Sequence, residues 1–203
     1  IVDSLAILGI TQEKLIFSDS DFHIEASHLI VPSLPGGTGD PPIWSLNFLR
    51  SLFIPTIDKN PISSKPYIYI SRNSAKYRKI TNESEVINFL LKFGLNFEVI
   101  HLEDYSFLEQ VSLLSNAEVI ISPHGAGLTN LIWCNPNTKV LEIFSPNYVN
   151  ICFWSIANQL QLDYYYLIGI GKYPVDYIDP GLGRENITVC IDSLEATLKL
   201  MKL

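Results

Sequence analysis

The fold is decided by the stretch Val119-Ile120-Ile121-Ser122-Pro123-His124-Gly125-Ala126-Gly127-Leu128-Thr129-Asn130. An apolar β-branched run ends at Pro123, and a loop with two glycines leads into apolar residues at helical spacing, which predicts a buried strand, a tight turn and a helix start. Glycines let backbone N–H groups approach an anion, and a helix N-terminus adds partial positive charge. The segment therefore predicts a phosphate or carboxylate site with His124 at its lip. The alternative is a strand-to-helix turn that needs glycine for backbone reasons alone.

Strand and helix patterns alternate regularly on both sides of this stretch, from residue 66 onward. The predicted strands are apolar on both faces, which indicates a parallel sheet covered by helices on both sides, a Rossmann-like α/β fold. Strands are predicted over 67–71, 97–102, 117–122, 139–144 and 163–168, and helices over 83–93, 106–115, 150–160 and from Asp192 as its N-cap. Ligands of such sheets bind beyond the carboxyl ends of the strands. Polar residues stand at four of those ends, namely Ser71-Arg72, His101, Ser122-Pro123-His124 and Ser145.

The first 60 residues have a different pattern. We expect strands over Leu15–Phe17 and Phe22–Val31, an irregular loop over 32–42 and a helix over 43–53. This pattern predicts two parts, with residues 1–60 as the end of a neighbouring domain plus a crossover and residues 61–203 as the Rossmann-like domain. The first residue is not methionine and the single methionine is Met201, so we expect the chain to be part of a longer protein.

Composition narrows the classes of function. The formal net charge is −7, which argues against general nucleic-acid binding. No apolar run is long enough to span a membrane. The three cysteines are widely spaced and odd in number, so a disulfide framework is not expected. We expect buried free thiols in a reducing compartment instead.

Several side chains suit an anionic ligand. Arg72 directly follows the first predicted strand, and its planar guanidinium matches phosphate oxygens. Glu142 interrupts an apolar strand, so its carboxylate must be paired: it either accepts ribose hydroxyls or fastens the His124 loop. Gln110 either orients the same loop or faces solvent, and Asn130 either caps the turn or binds backbone within it.

Taken in order, these residues resemble a known family. The pattern Ile70-Ser71-Arg72, Arg78, Asn82-Glu83, Gln110, His124 to Asn130 and Leu141-Glu142 is similar to glycosyltransferase family 61, also described as the capsular-polysaccharide-biosynthesis type. The resemblance implies a GT-B architecture of two Rossmann-like domains, of which this chain would supply the C-terminal one and part of the N-terminal, acceptor-side one. It also implies an inverting hexosyl- or pentosyl-transferase that moves a sugar from a nucleotide donor, typically UDP, to a glycan or protein acceptor.

The resemblance further implies a set of substrate-binding residues. They are Arg72, Arg78, Gln110, His124, Gly125, Ala126, Gly127, Leu128, Asn130 and Glu142. No catalytic residue is assigned, because the pattern around the candidate bases Asp19, Asp21 and His23 favours an ordinary strand edge. No Asp-x-Asp motif stands near the arginine and glycine elements, so neither a metal nor another cofactor is expected.

Other classes of protein fit less well. A hydrolase would need a Gly-x-Ser-x-Gly elbow and a kinase a Walker loop, and both motifs are absent from the sequence. The stronger rival is a nucleotide-sugar-binding module without turnover, and a purely structural domain is the third alternative. We expect a cytoplasmic location, with membrane association through segments outside this chain, or the Golgi or endoplasmic reticulum lumen in a eukaryote.

Overall fold

The computed structural model describes residues 2–37, 39–57, 62–171 and 185–203. It divides into two compact units, Ile1–Pro35 and Gly36–Leu203. The second unit holds every strand of the sheet described below. The predicted domain boundary near residue 60 concerns the organisation of the whole protein and stays a prediction.

The first unit contains one short helix, α1 (Val2–Ile7), and a 3-10 helix over Gln12–Lys14. The strands predicted over Leu15–Phe17 and Phe22–Val31 are wrong, since the described residues of this unit form no strand. A strand needs a neighbour to take its backbone hydrogen bonds. Within this unit the apolar residues of that stretch stay in solvent, and Ile30 is 90% exposed. An apolar pattern without a pairing partner therefore gave a false signal.

A five-stranded parallel sheet forms the centre of the second unit, as predicted. Its strands are β1 (Tyr67–Ile70), β2 (Phe97–Ile100), β3 (Val119–Pro123), β4 (Lys139–Phe144) and β5 (Asp163–Ile168). The order across the sheet is β2-β1-β3-β4-β5, and every neighbouring pair is parallel. The order reverses between β1 and β3, and in doubly wound sheets ligands bind in the crevice at the carboxyl ends of the strands at such a switch point.

Helices cover both faces of the sheet. They are α2 (Ile43–Phe53), α3 (Glu83–Lys92), α4 (Phe107–Ser115), α5 (Cys152–Gln159) and α6 (Ile191–Leu200), with 3-10 helices over Ile54–Thr56, Leu102–Asp104 and Ala126–Trp133. One apolar cluster joins α2, α4, α5 and the helix Ala126–Trp133 to one face, and a second cluster joins α3 and α6 to the other. The α/β class with helices on both faces is confirmed.

The helix termini follow the sequence in one case and depart from it in another. The predicted capping box of α4 is confirmed, with the Ser106 hydroxyl accepting from the Glu109 N–H and the Glu109 carboxylate accepting from the Ser106 N–H. The predicted cap of the last helix is wrong, because α6 begins at Ile191 with Cys190 as its N-cap. Asp192 instead lies in the first turn, where its charge still favours the helix dipole.

The three cysteines are free thiols in different environments. Only Cys134 is buried, while Cys152 and Cys190 are partly exposed, so the expectation of three buried thiols is wrong for two of them. Complete burial raises the pKa of Cys134 to about 12. Hydrogen bonding with Ser193 lowers the pKa of Cys190.

Thiol alkylation is expected to separate these cysteines. At pH 8 a thiol with a pKa near 12 is almost wholly protonated, so Cys134 should react on the order of a thousandfold more slowly than Cys190. The Cys134 rate should rise as the pH approaches 12, and in denaturant the two rates should become similar. Mass spectrometry of iodoacetamide-treated protein measures this. Equal rates in the folded protein would contradict the burial of Cys134.

Candidate functional site

The glycine loop leaves β3 in extended conformation. The His124 N–H donates to the Ile143 carbonyl of β4 at 2.8 Å, and Gly125 follows at φ 169° and ψ 170°. The 3-10 helix then begins at Ala126, and the Gly125 carbonyl accepts the Leu128 N–H at 2.9 Å. The predicted strand, turn and helix start are therefore confirmed, with a 3-10 helix in place of an α-helix. The first N–H groups of such a helix have no acceptor within it.

Gly125 lies directly beneath the guanidinium of Arg72. A Cβ atom at position 125 would lie 2.1 Å from Arg72 Nη1 and 2.5 Å from Cζ. Its extended φ is open to any residue, so the position needs glycine for space and not for a special dihedral angle. The sequence predicted that this space admits an anion. In the structure the Arg72 side chain fills it.

Arg72 retains a buried donor without a partner. Its Nε is buried and makes no hydrogen bond with any residue that the structure describes, and its Nη2 donates a long 3.4 Å bond to the Tyr77 carbonyl. Partial burial, followed by the charge of Arg78, lowers the pKa of Arg72, while Glu103 acts in the opposite direction. An arginine remains charged at neutral pH even so. A buried, unsatisfied N–H costs free energy, and an anion that accepts from it would recover that cost.

The Arg72 guanidinium and the glycine loop line a cavity of about 310 Å³ at the switch point. It is bounded by the turn after β1 (Ile70, Ser71, Arg72, Ser74, Ala75), by Leu102 and Glu103 after β2, and by Ser122, Pro123, Gly125 and Gly127 after β3. Of the predicted site residues, the cavity thus brings together Arg72, Gly125 and Gly127. The other seven lie around it and do not line it.

A larger cleft of about 450 Å³ lies at the opposite edge, where the strands begin. Two of its asparagine side chains are already engaged: that of Asn116 donates to the Ser112 carbonyl and that of Asn135 to the Ser115 carbonyl. Because ligands of doubly wound sheets bind at the carboxyl edge, the smaller cavity is the better site despite its size.

His124 is buried and does not form the lip of the site. It is 4% exposed, and its ring lies 5.2 Å from the rings of Phe144, Tyr148 and Phe153. The expectation that it stands at the rim is wrong. The apolar rings around it remove the imidazole from solvent, which leaves its backbone as the part nearest the cavity.

The partner of His124 is Glu142, which is fully buried on β4. One carboxylate oxygen bonds the His124 Nδ1 and the other accepts the Tyr164 hydroxyl from β5. Burial, together with the Glu142 charge, raises the pKa of Tyr164 well above its usual value. Both oxygens are occupied within the protein, so of the two roles considered for Glu142 the structure supports fastening the His124 loop over binding ribose.

Arg78 holds the same loop through its backbone. Its Nε donates to the His124 carbonyl at 3.1 Å, and its guanidinium carbon lies 5.3 Å from the centre of the Tyr148 ring. Arg78 itself has a φ of 55°, which non-glycine residues rarely adopt. The observed contacts of Arg78 therefore position the glycine loop. Its charge also lowers the pKa of Arg72.

Gln110 and Asn130 tie the neighbouring elements together. Gln110 Nε2 donates to the carbonyls of Leu102 and Tyr105 at 2.9 and 3.0 Å, and its Oε1 accepts from Asn130 Nδ2 at 3.0 Å. Asn130 Oδ1 in turn accepts from Trp133 Nε1 at 3.0 Å. Of the two roles predicted for Gln110, these contacts support the one in which it orients the loop. Leu128 is buried in the core and Ala126 is exposed.

Two residues that the sequence interpretation did not single out belong to this region. Glu103 and Ser74 line the cavity, and the Ser74 hydroxyl donates to the Glu103 carboxylate. Glu103 could have been noticed because it directly follows a predicted strand end, as Arg72 does. Its proximity to Ser74 depends on the pairing of β1 with β2, which the sequence does not state.

No general base or metal centre emerges from the described residues. Asp19, Asp21 and His23 lie in the first unit, where the Asp19 carboxylate accepts the Asp21 N–H at 3.0 Å. Across residues 2–37, 39–57, 62–171 and 185–203, no three histidine, cysteine or acidic side chains come together as metal ligands. The described helices are also too short or too polar to cross a membrane.

The parallel sheet flanked by helices, with a cavity at its switch point, defines an α/β domain of the doubly wound class. The sequence belongs to the family described as Glycosyltransferase 61, whose model matches residues 1–141. The resemblance drawn from the sequence is thereby confirmed.

Named relatives share parts of this region. The chain is 35% identical over 92 residues to the EGF domain-specific O-linked N-acetylglucosamine transferase of Bos taurus, covering 43% of this chain and 17% of that protein. It is 31% identical over 119 residues to the β-1,2-xylosyltransferase RCN11 of Oryza sativa subsp. japonica, covering 55% and 22%. The β-1,2-xylosyltransferase of Arabidopsis thaliana is 31% identical over 116 residues, covering 51% and 22%. The matched region thus spans about a fifth of each relative.

Proposed function

We propose that this chain binds the nucleotide-sugar donor of a glycosyltransferase, with the donor diphosphate at Arg72 and the Gly125-Ala126-Gly127 loop. The observation that carries the proposal is the buried Nε of Arg72, which has no hydrogen-bond partner within the described part of the chain and belongs to a side chain that lines the switch-point cavity. Membership of glycosyltransferase family 61 supports the same assignment.

The chemistry of the cavity suits a departing nucleoside diphosphate. Arginine offers a fixed fork of donors to phosphate oxygens, and the first N–H groups of the 3-10 helix beginning at Ala126 add further donors. When the sugar leaves the diphosphate, negative charge grows on the leaving oxygen. Donors that are already in place stabilise that charge without reorganisation, which is often the largest catalytic contribution.

In this proposal the protein has a GT-B architecture, and a sugar is transferred from UDP to a glycan or protein acceptor with inversion and without a metal. Relatives named for N-acetylglucosamine and xylose transfer support a hexosyl or pentosyl donor. An inverting transfer needs a general base at the acceptor hydroxyl. We place that base outside the switch-point cavity, among groups that face the acceptor.

A nucleotide panel tests the proposal. UDP, GDP, CMP and ADP and their sugar conjugates would be added at about a hundred times their dissociation constants, where a ligand stabilises by about 2.7 kcal/mol. For a protein of this size we expect the melting temperature to rise roughly 5–10 °C with UDP or a UDP-sugar. Radiolabelled UDP-N-acetylglucosamine and UDP-xylose, with and without EDTA, then measure transfer or donor hydrolysis.

The outcomes separate the remaining alternatives. A selective UDP shift with turnover that survives EDTA supports the whole proposal. A shift without transfer or hydrolysis favours the binding module, and loss of turnover in EDTA contradicts metal independence alone. Absence of any shift across the panel contradicts the nucleotide site itself.

A further inference from the structure

We propose that Glu103 binds the ribose hydroxyls of the nucleoside diphosphate and so makes the site selective for ribonucleotides over 2′-deoxyribonucleotides. The inference rests on the proposed function, since it adds a second contact to the same bound donor. Glu103 shares a cavity with Arg72 because β1 pairs with β2.

Glu103 and Arg72 lie near the carboxyl ends of two neighbouring strands of the sheet. Glu103 lies in the 3-10 helix Leu102–Asp104, which begins two residues after the end of β2, and Arg72 lies two residues after the end of β1, the strand beside β2. Both side chains line the same cavity of about 310 Å³. In doubly wound sheets an acidic side chain beside the phosphate site can accept hydrogen bonds from the hydroxyls of a ribose whose phosphate is bound nearby. The arrangement here has that form, although the loop sequence is different.

The cavity carries separate positive and negative charges, on Arg72 and on Glu103. Among the described residues Arg72 and Glu103 form no ion pair within 4 Å, although each charge influences the other. The Ser74 hydrogen bond lowers the pKa of Glu103, followed by a hydrogen bond from its own backbone and by the charges of His101 and Arg72, so the carboxylate is ionised at neutral pH. An ionised carboxylate repels phosphate oxygens and accepts hydrogen bonds from hydroxyl groups. A ligand that has phosphate at one end and ribose hydroxyls beside it matches both the Arg72 side and the Glu103 side of the cavity.

The Glu103 carboxylate can accept more hydrogen bonds than the one it receives from Ser74. The Ser74 hydroxyl donates to Oε1. A carboxylate has about four lone-pair sites on its two oxygens, so further hydroxyls can be accepted. The Ser74 bond also orients the carboxylate, since Ser74 belongs to the same turn as Arg72 and lines the cavity with it.

The test compares UDP with 2′-deoxy-UDP by calorimetric titration of the full chain and its variants. If another nucleoside diphosphate binds best in the panel, that compound and its 2′-deoxy form replace them. We expect the wild type to prefer the ribonucleotide by about tenfold, the usual effect of one charge-assisted hydrogen bond. Glu103→Gln should bring the ratio close to one, mainly by weakening UDP. The amide still accepts from Ser74, so the turn should keep its conformation.

A matched control is Asp104→Asn. Asp104 is the next residue of the same 3-10 helix, is exposed and does not line the cavity, and the substitution removes the same charge. It should leave the ratio of affinities at its wild-type value. Inorganic pyrophosphate, which has no hydroxyls, should bind Glu103→Gln at least as tightly as it binds the wild type.

The failures of the two proposals look different. If no nucleoside diphosphate binds the wild type, both are overturned. If UDP binds but Glu103→Gln weakens UDP and 2′-deoxy-UDP equally, or neither, the ribose contact is overturned and the donor site stands. If Glu103→Gln weakens only the UDP-sugar relative to UDP, the carboxylate contacts the transferred sugar, and the ribose assignment is wrong.

Discussion

Replacing Glu142 with alanine is expected to lower the free energy of unfolding by about 3–5 kcal/mol, the range expected when a side chain that satisfies two buried polar groups is removed from the core. The substitution leaves the His124 imidazole and the Tyr164 hydroxyl without their acceptor in a fully buried position. It also opens a cavity between β4 and the helices that cover it. Urea unfolding followed by circular dichroism measures the loss.

The control is Glu118→Ala, which removes an exposed glutamate beside β3 and should change stability by no more than about 0.5 kcal/mol. Glu142 fixes the His124 side chain, and the His124 backbone bonds Ile143 and Arg78. Loss of Glu142 should therefore also loosen the glycine loop. Hydrogen exchange at the His124 amide should then be faster than global unfolding explains. A loss of stability below about 1 kcal/mol would show that the buried network contributes little.

The sheet was predictable because each buried strand carries its own signal. Runs such as Val119-Ile120-Ile121 are apolar on both faces, and that pattern predicts a parallel strand without knowledge of its neighbours. Strand order is a different kind of information, because it depends on which crossovers pack best. The false strands over residues 15–31 show the same limit, since the apolar residues there find no pairing partner in their unit.

Within the candidate site, the sequence predicts residue types better than their contacts. Arg72 and the glycine loop were both recognisable, because a guanidinium and a side-chain-free turn at strand ends suit an anion. The sequence could not show that Arg72 rests on Gly125, or that apolar rings enclose His124. Those contacts join elements distant in the chain. Glu103 was missed for the same reason, since only the pairing of β1 with β2 brings it beside Arg72.

Arg72→Ala and Gly125→Ala are each expected to weaken UDP binding by about 1.5–3 kcal/mol, or roughly 10- to 100-fold. The first removes the charged donor. The second adds a Cβ that would lie 2.1 Å from Arg72 Nη1, so the flexible guanidinium must leave its position. Isothermal titration with UDP measures both affinities, and Gly37→Ala is the control, because a Cβ there meets no atom within 4 Å.

The double variant decides why position 125 is glycine. If glycine makes room for Arg72, a methyl group at 125 costs little once the guanidinium is gone, so Arg72→Ala with Gly125→Ala should bind UDP as Arg72→Ala does. If glycine instead makes room for the phosphate, the methyl group should weaken binding further in the Arg72→Ala background. The contact between Arg72 and Gly125 predicts the first result. Additive losses would mean that the ligand, and not the arginine, requires the space.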